Sequence, residues 1–459
     1  MIKDLKPYAE YKDSGLPWLG QVPGHWTVLP AFGAFKPNKA RNIGMKEKTV
    51  LSLSYGRIVI KPAEKLHGLV PESFETYQIV DPGDIVLRTT DLQNDHTSLR
   101  VGMVRDRGII TSAYLALRAL TGVSPDYCFQ FLNVWDSSKA IYGYGSGLRQ
   151  SLDFSHFKRM PIAIPPPAEQ AAIVRFLDWA NARLERTIRA KRKVIALLNE
   201  QRQAIIHRAV TRGLDPSVSL KPSGIPWLGP IPGHWEIVRN MSLFAHRVES
   251  GVEGLPVLQV SLRSGITPEA LDQFGRPKRL IADQTKYKRI YRQDIAYNTM
   301  RMWQGAVGVS PIDGLVSPAY VVLRPRASIF PDFYDFIFHT DIYKQQVNRQ
   351  STGIVSDRNR LYWDSFKQMA NVALPASEQQ AIVDFIHLET RDLITAKSSL
   401  NREIDFLREY RTRLVADVVT GKLDVREAAV RLPDEELLPD LPAADDDPDD
   451  LPIEEEPDA

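Results

Sequence analysis

Apolar residues recur at every third or fourth position through two long stretches of this chain. The first series runs Ile173, Leu177, Ala180, Leu184, Thr187, Lys191, Val194, Leu198, Gln201 and Ile205. The second runs Ile382, Ile386, Glu389, Leu393, Ala396, Leu400, Glu403, Leu407, Tyr410 and Leu414. Both follow the 4-3 spacing of a coiled-coil seam, with polar breaks at matching depths. The spacing predicts a helix from about Ala168 to Arg212, roughly 65 Å long at 1.5 Å per residue, and a second of similar length. Pro167 with Glu169, and Pro375 with Glu378, mark the starts; Gly213 and Gly421 mark the ends. Matching seams predict that the helices pair with each other, antiparallel and within one chain, holding a globular unit at each end of a rod. The alternative is that each helix folds back on its own domain. Its length argues against that, because a body of about 130 residues is only about 30 Å across.

The segments between the helices carry a different pattern, short β-like runs broken by Gly, Pro and Asp. Val50–Leu53, Asp84–Leu87 and Ile109–Leu117 are read as strands in the first half, and Val257–Val260, Asp294–Tyr297 and Leu315–Leu323 in the second. Pro125-Asp126-Tyr127 and Pro331-Asp332-Phe333 each open a short aromatic helix. The fold class is therefore α+β.

The two halves repeat each other. Ser14 to Trp26 reads SGLPWLGQVPGHW, and 209 residues later Ser223 to Trp235 reads SGIPWLGPIPGHW, identical at ten of thirteen positions. At the same offset Glu169 lies over Glu378, Phe176 over Phe385, and Val210-Thr211 over Val419-Thr420. GIITSAYLALR (Gly108–Arg118) lies over GLVSPAYVVLR (Gly314–Arg324), whereas the intervening loops differ almost completely. A repeat of this period means two copies of one unit, one scaffold carrying two different surface loops. The Pro- and Gly-rich repeated motif is expected to be an ordered turn rather than a helix or strand, anchored by its tryptophans. His25 and His234 hold equivalent places in it, but one histidine per copy, without neighbouring carboxylates or cysteines, makes a poor metal site.

Composition narrows the class. The single cysteine, Cys128, excludes a disulfide framework and a cysteine-based zinc site. A reducing cytoplasm is therefore expected; separately, no apolar run reaches membrane length and the N-terminal stretch is too polar for a signal peptide. The formal charge of +2 conceals a segregation: Asp434 to Ala459 holds thirteen acidic residues and no Lys or Arg. Without them the body carries 58 basic against 43 acidic residues. The tail cannot bury enough apolar surface to order itself. A basic body suits a polyanion partner, although surplus solvated lysines and arginines give the same balance.

The duplicated SGxPWLGxxPGHW motif, the helix start carrying Glu169-Gln170 and Glu378-Gln379, and the Val-Thr helix exits together resemble the specificity subunits of Type I restriction-modification enzymes, the HsdS family. The resemblance covers the chain up to the acidic tail. It implies two target-recognition domains, at 1–160 and 214–370, separated by helical spacers at 165–213 and 374–423, with the tail at 433–459 outside the pattern. Each recognition domain would read one half of a bipartite, asymmetric double-stranded DNA sequence, while the paired helices fix the gap and dock two methyltransferase subunits. A motor-nuclease subunit would join for restriction. S-adenosylmethionine, ATP and Mg would sit on those partners, with no cofactor, metal or catalytic residue in this chain.

Base reading needs side chains that present paired donors or acceptors. Polar loops follow equivalent strands in the two copies: RTTDLQND (Arg88–Asp95) and NTMRMWQG (Asn298–Gly305). A second loop follows in each, GYGSGLRQS (Gly143–Ser151) and RQSTGIVSDRNR (Arg349–Arg360). The candidates are Arg88, Gln93, Asn94, Arg149 and Gln150 in the first copy and Asn298, Arg301, Gln304, Arg358 and Asn359 in the second. Each has phosphate contact or simple solvation as its alternative. Gly143–Gly147 lacks the preceding strand, a third glycine at the right spacing and the immediately following helix of a dinucleotide loop. The sequence carries no recognisable methyltransferase, ATP-binding or nuclease motif, which disfavours a self-contained DNA-modifying enzyme. A coiled-coil adaptor that organises a DNA-modifying complex without reading sequence is the other alternative.

Overall fold

Two helices dominate the secondary structure, Pro167–Arg212 with 46 residues and Ala376–Val419 with 44. The computed structural model describes residues 5–62, 73–90, 92, 99–143, 152–225, 228–262, 264–268, 283–352 and 359–433. The chain divides into two units, the first made of Met1–Arg189 with Ile404–Ala459 and the second of Ala190–Glu403. Each unit thus holds part of both helices, and in each they run antiparallel. In the first unit Arg411 Nη1 donates to Glu185 at 3.3 Å. In the second, Lys191 pairs with Glu403 and Lys397 Nζ donates to Asn199 Oδ1 at 3.1 Å. In the second unit, as the residue number climbs from Lys191 to Asn199, the partner's falls from Glu403 to Lys397.

The predicted seam holds at most positions, with Ile173, Leu177, Ile382 and Ile386 buried and Leu184, Leu198, Leu393, Leu400 and Leu407 half-buried, but one position per heptad departs from it. Thr187, Val194, Gln201, Glu389, Ala396 and Glu403 all face solvent. The residue after each turns inward instead: Ile188, Thr390 and Ile404 are buried, and Ile195, Arg202 and Lys397 are half-buried. A strict heptad advances 3.5 residues per turn, and an α-helix that is not supercoiled advances about 3.6, so the inward stripe drifts by about 20° per heptad. Two heptads give about 40°, enough to turn one of the two seam positions outward and bring the residue after it toward the partner.

In the first unit a four-stranded antiparallel sheet has the order Phe35–Pro37, Leu115–Ala119, Ile85–Leu87, Val101–Met103. The second unit repeats it as Phe244–Arg247, Tyr320–Pro325, Ile295–Asn298, Val307–Val309. Every smaller two-stranded sheet among the described residues also has a counterpart in the other unit. The expected single strand Ile109–Leu117 is two, Gly108–Ile110 and Leu115–Ala119, which belong to different sheets; Leu315–Leu323 divides in the same way. A turn at Thr111–Tyr114 re-aims the chain between them. The glycines of the fourth strands explain a further shared feature. A Cβ on Gly102 would come within 2.6 Å of Leu53 and one on Gly308 within 2.8 Å of the Ile266 backbone nitrogen, because a β-hairpin lies against the sheet there in each unit.

The core of each unit collects the strands, an aromatic helix (Pro125–Ser137 or Pro331–Phe338) and the near ends of the long helices. Cys128 sits in the first of these cores, where burial pushes its thiol well above the usual range. No helix among the described residues is long and apolar enough to cross a membrane.

Candidate nucleic-acid interface

The repeated motif is fastened to the start of a long helix by one carboxylate in each unit. In the first, Trp26 Nε1 donates to Glu169 Oε1 at 2.8 Å, the Tyr8 hydroxyl donates to the same oxygen at 2.7 Å, and His25 Nε2 lies 2.7 Å from Oε2. In the second, Trp235 Nε1 donates to Glu378 Oε1 at 3.0 Å and His234 Nε2 lies 2.8 Å from Oε2. The expectation that each histidine lacks a neighbouring carboxylate is therefore corrected, since folding brings one from 144 residues away. The shared glutamate engages both ring nitrogens, so the assembly reads as a clamp. Burial, then the bond to Glu169, drives the Tyr8 hydroxyl far above its ordinary pKa, which keeps it a donor. Among the described residues no group of three or more His, Cys, Asp or Glu could hold a metal ion.

The next residue in the motif, glutamine, does equivalent work in both units. Gln170 Oε1 accepts from the Ser124 backbone N–H at 2.7 Å, and Gln379 Oε1 from that of Phe330 at 2.8 Å. Each thereby fixes the start of its aromatic helix. The motif also departs from the expected pure turn. Gln21–Pro23 and Pro230–Pro232 are short strands, paired with Tyr11–Asp13 and Leu220–Pro222. Two-stranded ribbons have free edges, where proline is tolerated. The helix exits return to the same place: Gly421, at φ +76°, packs on Pro23 and Trp26, and Gly213, at φ +69°, on Trp235 and Glu378.

On this frame the residue that follows the second polar loop of each copy bonds to the first loop. The Thr89 carbonyl accepts the Leu152 N–H at 2.9 Å, and the Thr299 carbonyl accepts the Leu361 N–H at 2.9 Å. Residues from some sixty positions apart are stitched at equivalent points just beyond the ends of the Ile85–Leu87 and Ile295–Asn298 strands.

The loops themselves are built differently. In the second unit the Asn298 side chain accepts from the Met300 N–H at 2.9 Å, shaping the turn. Its side-chain oxygen is thus committed to the backbone. A one-turn helix, Met302–Gln304, follows, plugged by fully buried Met302 and closed by Gly305. Trp303 Nε1 donates to the Met300 carbonyl at 3.0 Å. Arg301 is half-buried and Gln304 exposed, and among the described residues neither side chain has a hydrogen-bond or ion-pair partner. Nearby, Thr352 and Arg360 exchange two backbone hydrogen bonds of 3.0 Å, and Asn359 Nδ2 donates to Asn348 Oδ1 at 3.2 Å. In the first unit Arg88 is half-buried, and its N–H donates to the Arg100 carbonyl at 2.8 Å. Gln93, Asn94, Arg149, Gln150 and Arg358 lie outside the described residues, as does the acidic tail.

Comparison with solved structures now bears on the fold. One chain, from work described as the structural basis underlying complex assembly and conformational transition of the type I R-M system, matches over 88% of this chain and 99% of its own, with a TM-score of 0.55 at 15% identity. This chain shares that fold. An HsdS subunit from Thermoanaerobacter tengcongensis matches with 13% identity and a TM-score of 0.40, covering 88% of this chain and 98% of its own. A Type-I restriction-modification system S subunit from M. genitalium matches at 12% and 0.32, covering 86% and 96%. No protein-family model matches the chain, and no curated protein does.

Sequence reasoning missed Glu169 and Glu378 as the partners of the motif, though their equal separation from His25 and His234 was present in both copies. It also missed Arg100, whose counterpart is Ala306; with no repetition to mark it, the sequence carried no signal.

Proposed function

We propose that this chain is the specificity subunit of a Type I restriction-modification complex: a non-catalytic DNA reader that recognises a bipartite, asymmetric target and docks methyltransferase subunits on its paired helices. One observation carries the reading. The scaffold is duplicated down to strand order and the glutamate clamp, while the stitched polar loops at equivalent places are built by different devices. A duplicated frame with unlike loops suits two non-identical half-sites, because the frame sets position and the loop side chains set base preference. The basic body supplies the sequence-independent attraction to phosphates. Arg301 and Gln304, with donors uncommitted, are the side chains best placed to read a base edge in the second half-site, and Asn298 is better read as the residue that shapes their loop. Arg88 and Asn359 are assigned to the same surfaces.

The test is to co-express the chain with its methyltransferase in a host free of DNA methylation and to sequence the modified adenines. The expected result is a two-part motif with a fixed gap that disappears when this chain is omitted. Modification without a motif, or modification indifferent to the chain, would instead identify a non-reading adaptor.

A further inference from the structure

Arg100 is the one arginine among the largest fully buried side chains, with no exposed surface. A guanidinium cannot shed its charge by deprotonation, so removing it from water is costly unless its donors are satisfied. Its Nη1 donates to the carbonyls of Arg88 at 3.1 Å and Thr90 at 2.8 Å. Its Nε reaches the Tyr142 hydroxyl at 3.4 Å, and the guanidinium carbon lies 5.6 Å from the centre of that ring. Its backbone N–H donates to Asp136 Oδ2 at 2.6 Å. The Thr89 carbonyl, between the two that Arg100 holds, accepts the N–H of Leu152. Three consecutive carbonyls, the first three of the loop that follows the Ile85–Leu87 strand, are therefore fixed from inside. Two are held by Arg100 and one by Leu152.

The second unit solves the same problem another way. The backbone bond from Arg88 to Arg100 has its equivalent from Asn298 to Ala306, at 3.0 Å. There the loop is shorter, the strut is absent, and the Asn298 turn and the buried Met302 set the shape. A methionine plug fills volume but leaves carbonyl direction to the turn. A planar guanidinium instead dictates where its acceptors point.

We infer that Arg100 is a positioning residue for base selection by the first unit: it sets the direction in which the loop beginning at Arg88 leaves the sheet. The inference rests on the reading of the chain as a specificity subunit. The test replaces Arg100 with Met and with Lys in the assembled methyltransferase complex and maps methylated sites. R100M is expected to lose discrimination at one half-site by about tenfold or more, the scale of one base contact, with the other half-site and the gap unchanged. R100K, which keeps charge but not the fork, should select the same bases more weakly. An R100M complex with an unchanged two-part motif would overturn the inference, as would equal relaxation of both halves. Should R100M fail to assemble, Y142F decides: relaxation confined to the same half-site supports the role, and an unaltered motif refutes it. A wild-type complex that yields no two-part motif refutes instead the underlying reading, so the two failures are distinguishable.

Discussion

At the scale of single residues, Glu169 and Glu378 occupy the same place in the repeat but not the same environment. Glu169 is 5% exposed and serves three donors; Glu378 is 26% exposed and serves two. The position of Tyr8 is taken in the second copy by Ser217, whose hydroxyl turns to Asp215 at 2.6 Å. Glu169→Ala leaves the Trp26 and Tyr8 donors buried and unsatisfied, and is expected to cost about 2–4 kcal/mol, whereas Glu378→Ala should cost about half that. Urea unfolding followed by tryptophan fluorescence measures both. Equal losses would contradict the assignment of the difference to burial. The residue scale is also where the sequence was least legible. The motif was visible, but the pairing of His25 and Trp26 with Glu169 needed a contact across 143 and 144 residues. Nothing in local pattern specifies a bond of that span.

At the scale of elements, the long helices were legible nearly to the residue, since Pro167 and Gly213 punctuate one and Pro375 and Gly421 the other. Their facing stripe was legible only in part: Leu184, Leu198, Leu393 and Leu400 keep the predicted side, whereas a phase error of a few degrees per residue turns Thr187, Val194 and Gln201 outward. The cross-helix partners are what fix the register. Inserting four residues after Val194 displaces Lys191 and Asn199 relative to each other by about 6 Å along the helix, so that the bonds to Glu403 and Lys397 cannot form together. The expected outcome in the assembled complex is a lengthened gap in the methylated motif or loss of assembly. An unaltered gap with full activity would show that these helices are not the spacer. The strands show the opposite limit. Ile109–Leu117 has the composition of one strand throughout, and only the competing pairings of its two ends, with Gln78–Val80 and with Ile85–Leu87, divide it.

At the scale of the whole molecule, the two units share a topology but differ in where their shifted histidines lie. His207 and His246 both belong to the second unit. Burial lowers the pKa of each, assisted by Arg212 for His207 and by Lys288 for His246. A folded-state pKa below the ordinary histidine value means that the unfolded chain takes up protons first as pH falls. Their contribution is therefore intact above about pH 7 and declines as pH drops through about 6.5. Hydrogen exchange of peptides from Ala190–Glu403, corrected for intrinsic rates, should show reduced protection at pH 5.5 relative to pH 7. Unchanged protection would mean that the histidine environments open without cost.

By itself the sequence determined what periodicity and repetition can carry. These are two copies of one α+β unit, two long helices with defined ends, a basic body with a segregated acidic tail, and polar loops after equivalent strands. Each of these is local, or is announced twice. The tertiary structure alone decided the helix phase, the division of the strands, the glutamate clamp, the stitching of the two loops in each unit, and the burial of Arg100. Those depend on contacts between distant residues, whose free energy arises only when the chain closes around them, and a one-dimensional pattern holds no record of which donor will find which acceptor.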